Sequence, residues 1–103
     1  MTRPVYEVVR SRIRAGREDE MLRLRGPMIE AVRSRFPDLI DARLVRLDDG
    51  TWLDIVRWRS REAAERAAAA FGEIAEARAM GELVEEVLSF EHGVGAEPDP
   101  VTA

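Results

Sequence analysis

The 103-residue chain has no cysteine, which excludes disulfides, thiolate catalysis and cysteine metal centres. It has no lysine either. All 16 basic residues are arginine, a composition that suggests a GC-rich bacterial genome. There is one histidine, His92, so a metal site would have to combine that ring with carboxylates, and none is expected. No apolar run approaches the roughly 18 residues that a membrane span requires. The opening "MTRPVYEVVR" enters a strand pattern directly and lacks a signal-peptide core, so a cytoplasmic protein is expected. The net charge of −4 and the lack of a basic stripe argue against a nucleic-acid partner.

What is present fits one domain, 46% apolar, with a modest core that oligomerisation would help. "VYEVVRSRIR" (5–14) reads as a strand ended by Gly16. "REDE" then places acids in the first turn of a helix, where they suit its dipole. Met21, Leu24, Met28 and Val32 form the apolar stripe of that helix, and Pro27 predicts a kink or break within it. "LIDARLVRL" (39–47) alternates as a strand, "DDG" (48–50) as a hairpin turn, and 51–59 as the returning strand. Ser60 is placed to cap the helix of "REAAERAAAAF", which Gly72 bends or interrupts. "VLSFEH" (87–92) is the last strand. The expected domain spans 1–94, with 95–103 as a mobile tail.

The order β-α-β-β-α-β predicts an α+β, ferredoxin-like fold: a four-stranded antiparallel sheet with its helices on one face. Ile40, Ala42 and Leu44 with Leu53 and Ile55 are expected to face the helices. Val45, Trp52, Val56 and Trp58 then fall on the opposite face, and so much apolar surface there predicts a homodimer through it.

The stretch "DDGTWLDIVRWRS" (48–60) holds both tryptophans, and Trp52, Asp54, Val56 and Trp58 share one strand face. Two indoles beside a carboxylate make either a packed core with a satisfied acid or a pocket wall. The plain readings are a core or interface Trp58, an Asp54 paired to Arg10, Arg43 or Arg57, a solvated Arg78, a core Tyr6 and a solvent-facing or capping His92.

The run from Arg17 through "DDGT" to "RWRSREAA" resembles the antibiotic biosynthesis monooxygenase family of dimeric α+β barrels. In the haem-degrading branch, the asparagine, tryptophan and histidine positions look like Val9, Ala67 and Ala77, which cannot bind haem. In the cofactor-free, quinone-forming branch, a tryptophan looks like Trp58, an asparagine like Asp54 and an arginine like Arg78. A tyrosine and a histidine of that branch fall at Ala64 and Val45. The resemblance implies a cofactor-independent monooxygenase acting on an aromatic or polyketide-derived phenol, with no cofactor. Asp54, Trp58 and Arg78 would be catalytic. Trp52, Val45, Val56, Arg43 and Tyr6 would contact a small aromatic molecule. A non-catalytic ligand-binding dimer and a polyketide-cyclase-like barrel are the alternatives.

Overall fold

The computed structural model describes residues 3–97. Its elements are β1 (Val5–Ile13), α1 (Glu18–Arg35), β2 (Leu39–Arg46), β3 (Trp52–Trp58), α2 (Arg61–Ala70), a 3-10 turn (Phe71–Glu73), α3 (Ala75–Gly81) and β4 (Val84–Val94). The strands form one sheet in the order β2-β3-β1-β4, every neighbouring pair antiparallel. This is the expected α+β ferredoxin-like fold. The expected tail lies largely outside the described residues.

Local chemistry explains most of the boundaries. Glu18, Asp19 and Glu20 open α1, and Arg33 and Arg35 close it, matching both ends of its dipole. The helix runs through Pro27 without a break, contrary to the expectation from that residue. Met21, Met28 and Val32, on both sides of the proline, are buried against the sheet, so packing holds together what the lost hydrogen bond would weaken. Ser60 caps α2, its Oγ accepting from the Ala63 N–H at 3.1 Å. The second helical region is interrupted at Gly72 by the 3-10 turn. Gly50, at φ +86°, supplies the left-handed residue of the hairpin.

The sheet faces differ from the expectation at β3. Val5 pairs with Trp58, Glu7 with Val56, Val9 with Asp54 and Ser11 with Trp52, so these residues share one face. That face lies under the helices: Trp52, Val56 and Trp58 are 6%, 7% and 2% exposed, in one core with Met21, Met28, Ala63, Ala64, Ala67 and Ala77. Leu53 and Ile55, expected to face the helices, lie on the outer face beside Val45, Arg43, Val8 and Arg10. The expected dimer face of Val45, Trp52, Val56 and Trp58 therefore does not exist as a surface. The physical reason is payload. Two indoles and a valine bury more apolar area than a leucine and an isoleucine, so β3 turns that parity inward. On β2, Ala42 and Leu44 pack against the core as expected. A register irregularity between Leu39 and Asp41 gives the buried place to Leu39 rather than Ile40.

Candidate functional site

The buried face of α2 is entirely alanine: Ala63, Ala64, Ala67 and Ala70. Side chains that small cannot fill the space between the helix layer and the sheet. A cavity of about 540 Å³ remains there, within the range of about 300–1,000 Å³ usual for small-ligand sites. Glu7, Val9 and Ser11 of β1 and Trp52, Asp54, Val56 and Trp58 of β3 line the sheet side. Met21, Arg25 and Met28 of α1 line the helix side, with Ala67 and Met80. Phe71, Val87 and Phe90, all substantially exposed, border its open part.

Two polar pairs border this mostly apolar space, the first with both members in its lining and the second with Glu7 there. Arg25 reaches down from α1 and grips Asp54 with both arms: Nη1 donates to Oδ2 at 2.7 Å and Nη2 to Oδ1 at 2.8 Å. The side chains are only 13% and 26% exposed, so the pair is screened little by water. The second pair spans β1 and β4, where His92 Nε2 lies 3.2 Å from Glu7 Oε2, with side chains 17% and 13% exposed. Burial pushes the Glu7 carboxyl above its ordinary value; His92 partly offsets this by hydrogen bonding and charge, and the nearby Asp54 charge adds to the rise. The indole N–H groups of Trp52 and Trp58 are buried without a hydrogen-bond partner among the described residues. Each such donor costs about 1–3 kcal/mol, a cost the burial of the rings must exceed.

The structure brings Asp54, Trp58, Trp52 and Val56 together on the cavity wall. It does not bring the other expected contacts there. Val45, Arg43 and Tyr6 lie on the outer face of the sheet, by the parity that places Leu53 and Ile55 there. Arg78 is exposed on α3, donating to the Gly72 carbonyl at 3.0 Å and so closing the 3-10 turn. The partner of Asp54 is neither Arg10 nor Arg43 nor Arg57. Arg10 reaches Thr51 and Asp49 on the hairpin, and Arg57 pairs with Asp41 at 2.6 Å, holding that carboxyl below its usual range. His92 is not solvent-facing but half-enclosed against Glu7.

Arg25, Glu7 and His92 were missed, and two of them left a signal. Arg25 lies four residues after Met21 and three before Met28, which puts it on the buried stripe of α1. Glu7 sits between Val5 and Val9 on the inward parity of β1. A charge on an apolar stripe is the mark of a paired or functional group. His92 had no comparable mark. No cluster of three or more histidine, aspartate or glutamate residues that could hold a metal occurs among the described residues.

The profile of the antibiotic biosynthesis monooxygenase family matches residues 4–77. Among solved structures, SnoaB from Streptomyces nogalater, a cofactor-independent oxygenase, superposes with a TM-score of 0.68 at 22% identity, over 98% of this chain and 99% of that one. Rv0793 from Mycobacterium tuberculosis gives 0.64 at 22% identity, over 96% and 99%. A candidate antibiotic biosynthesis monooxygenase from Bordetella bronchiseptica gives 0.75 at 16% identity, over 88% and 95%. No curated protein sequence matches this one.

Proposed function

The chain belongs to the antibiotic biosynthesis monooxygenase family, and on that premise we propose that it is a cofactor-independent monooxygenase oxidising an aromatic or polyketide-derived phenol in the cavity beneath α1. The observation that carries this reading is the cavity itself: an apolar space of about 540 Å³ walled by two indoles, with a bidentate Arg25–Asp54 pair in its lining. A flat ring system fits the apolar walls. The fixed guanidinium supplies positive charge near a developing phenolate oxygen, in a space with little water to weaken it.

The reaction needs an electron-rich substrate that reduces dioxygen itself. A phenol loses its O–H proton and the C–H hydrogen at the ring position attacked. One oxygen atom of dioxygen becomes the new carbonyl, and the other leaves as water with those two hydrogens. Trp58 and Val56 shape the ring pocket, and Asp54 acts by holding Arg25 in place. Arg78 and Arg43, which lie away from the cavity, have no part in this mechanism.

The exposed apolar surface also supports a homodimer, largely through β4 rather than through the buried tryptophans. Val45, Val87, Leu88, Phe90 and Val94 are exposed apolar side chains, more than a small isolated domain usually leaves in water. The described residues contain no helix long and apolar enough to cross a membrane.

The test is oxygen uptake by the purified full chain with a panel of polycyclic phenols and no added flavin, metal or haem. The expected result is quinone formation with one dioxygen consumed per product. Arg25→Met should lower the rate and Trp58→Phe should weaken binding. A phenol that binds but returns unchanged, with no oxygen consumed, would make the protein a ligand-binding module instead. Anaerobic turnover of a poly-β-ketone would make it a cyclase.

A further inference from the structure

Two of the carboxylates that line the cavity are in opposite situations. Asp54 has both oxygens occupied by the Arg25 guanidinium. Glu7 is hydrogen-bonded, among the described residues, to His92 alone, and through one oxygen, Oε2. When Glu7 is ionised its oxygens can only accept, so the proton in that contact sits on His92 Nε2. The other Glu7 oxygen is then left with an unused lone pair beside the cavity that Glu7 lines. The strand register fixes this arrangement, since Glu7 stands opposite His92 on β4 and Val56 on β3.

We propose that Glu7, oriented by His92, is the group that accepts the phenolic proton of the substrate, an assignment that rests on the oxygenase reading above. In the step, the substrate O–H bond breaks and an O–H bond to the free Glu7 oxygen forms. The electron pair stays on the substrate oxygen as a phenolate, which dioxygen then oxidises. Asp54 is unsuited to this role because both of its oxygens are already engaged by the Arg25 guanidinium, which stands between them and a substrate hydroxyl. Two acids whose surroundings differ in this way divide into a base and a charge holder.

The charged groups facing Glu7 are few. His92 faces it from β4, while Asp54 on β3, tied to Arg25 on α1, lies on the diagonal. The lining from α2 and α3 is Ala67, Ala68, Met80 and Gly81, without charge. Glu85 and Glu86 line the other end of the cavity, where Arg12 engages both. Burial and the Asp54 charge hold Glu7 above the ordinary carboxylate range, which makes its ionised form the better acceptor of a weakly acidic proton.

The experiment uses the full chain and 1,5-dihydroxynaphthalene as probe, read by anaerobic difference absorption for bound phenolate and by oxygen uptake in air. The wild type is expected to form the phenolate band where the free probe is neutral. Its rate should rise with pH through one ionisation above the usual glutamate range. Glu7→Gln should abolish the band and lower turnover on the order of 100-fold, with KM little changed. Glu7→Asp should restore part of both. His92→Asn should move the ionisation to higher pH, which a merely structural histidine would not do. If Glu7→Gln keeps the band and the pH profile, the assignment is overturned. The same holds if Asp54→Asn alone removes the band. Should Glu7→Gln fail to fold, a wild-type profile without the raised ionisation overturns it equally. A wild type that forms the Glu7-dependent band without consuming oxygen overturns the oxygenase reading and supports Glu7 as the proton acceptor. A wild type that neither binds nor oxidises the probe overturns both.

Discussion

β3 and β4 both pair with β1, yet they live in different environments. β3 has a neighbour on each side, and Trp52, Val56 and Trp58, three of its seven residues, are buried beneath the helices. β4 has one neighbour, and none of its eleven residues is buried, although Val87, Leu88, Phe90 and Val94 are as apolar as anything on β3. Apolar character says what a strand wants to cover. The layer above the sheet decides whether it is covered. α2 lies over β3 and β1, and α1 packs on β2 and reaches β3 through Arg25, while β4 is an edge strand with two register irregularities against β1, a usual way of disrupting a long edge.

Trp58→Ala tests the inner strand and should have the largest effect. It empties a fully enclosed indole site, and loss of about 3–5 kcal/mol is expected in urea denaturation. Phe90→Ala, on the exposed strand, should cost under about 1 kcal/mol in the isolated chain. If Phe90→Ala costs as much as Trp58→Ala and its cost grows with protein concentration, β4 is covered in solution by a second copy, and the contrast between the strands belongs to the monomer alone.

The next effect comes from the pair that ties α1 to β3. Arg25→Met leaves the Asp54 carboxylate enclosed without its partner. About 2–3 kcal/mol is expected, below the range for fully buried pairs because Asp54 keeps a quarter of its side chain in water. The double variant Arg25→Met with Asp54→Leu should recover most of that loss, since an apolar pair of similar volume often replaces an enclosed ion pair without cost. A double variant as unstable as the single one would mean that Arg25 acts through its stem packing rather than through its charge.

How much of this was legible before the structure follows from the same contrast. Element order, the hairpin at Gly50, the Ser60 cap and the interruption at Gly72 are local, and local chemistry writes them into the sequence. The face of β3 is not local. Both parities of "WLDIVRW" are apolar enough to be buried, so alternation alone could not choose between them. The choice came from α2, whose alanines leave room for indoles but need large side chains opposite them. The same ambiguity sent Val45 to the expected site and hid Arg25. An arginine on a helix is usually solvated, and only its position in the Met21–Met28 stripe marks it as inward. Asp54 and Trp58 were found because they stand on one strand two turns of the pleat apart. Glu7 and His92 come together across 85 residues of sequence, a separation that no motif spans.

The smallest effect, and the one specific to the contact between β1 and β4, is a pH dependence. Glu7 has its folded pKa raised above the ordinary 4.5, chiefly by burial. The folded state therefore binds more protons than the unfolded state through that window. Its contribution to stability is fully present below the unfolded value and is lost as pH rises through the folded value. Asp49 on the hairpin behaves oppositely: the Thr51 hydroxyl and backbone N–H hold its pKa down to about 2, so its contribution is present above its unfolded value and is lost as pH falls through about 2. Because Asp49 is common to all variants, it cancels from a difference. The difference in unfolding free energy between wild type and Glu7→Gln should therefore fall as pH rises above the unfolded value and level off once the folded value is passed, with Glu7→Gln gaining on wild type. In a His92→Asn background the fall should extend to higher pH, since the group that partly offsets the burial of Glu7 is gone. A difference that stays flat across this range would mean that Glu7 titrates alike in the folded and unfolded chain, and that β4 leaves this part of the cavity open to water.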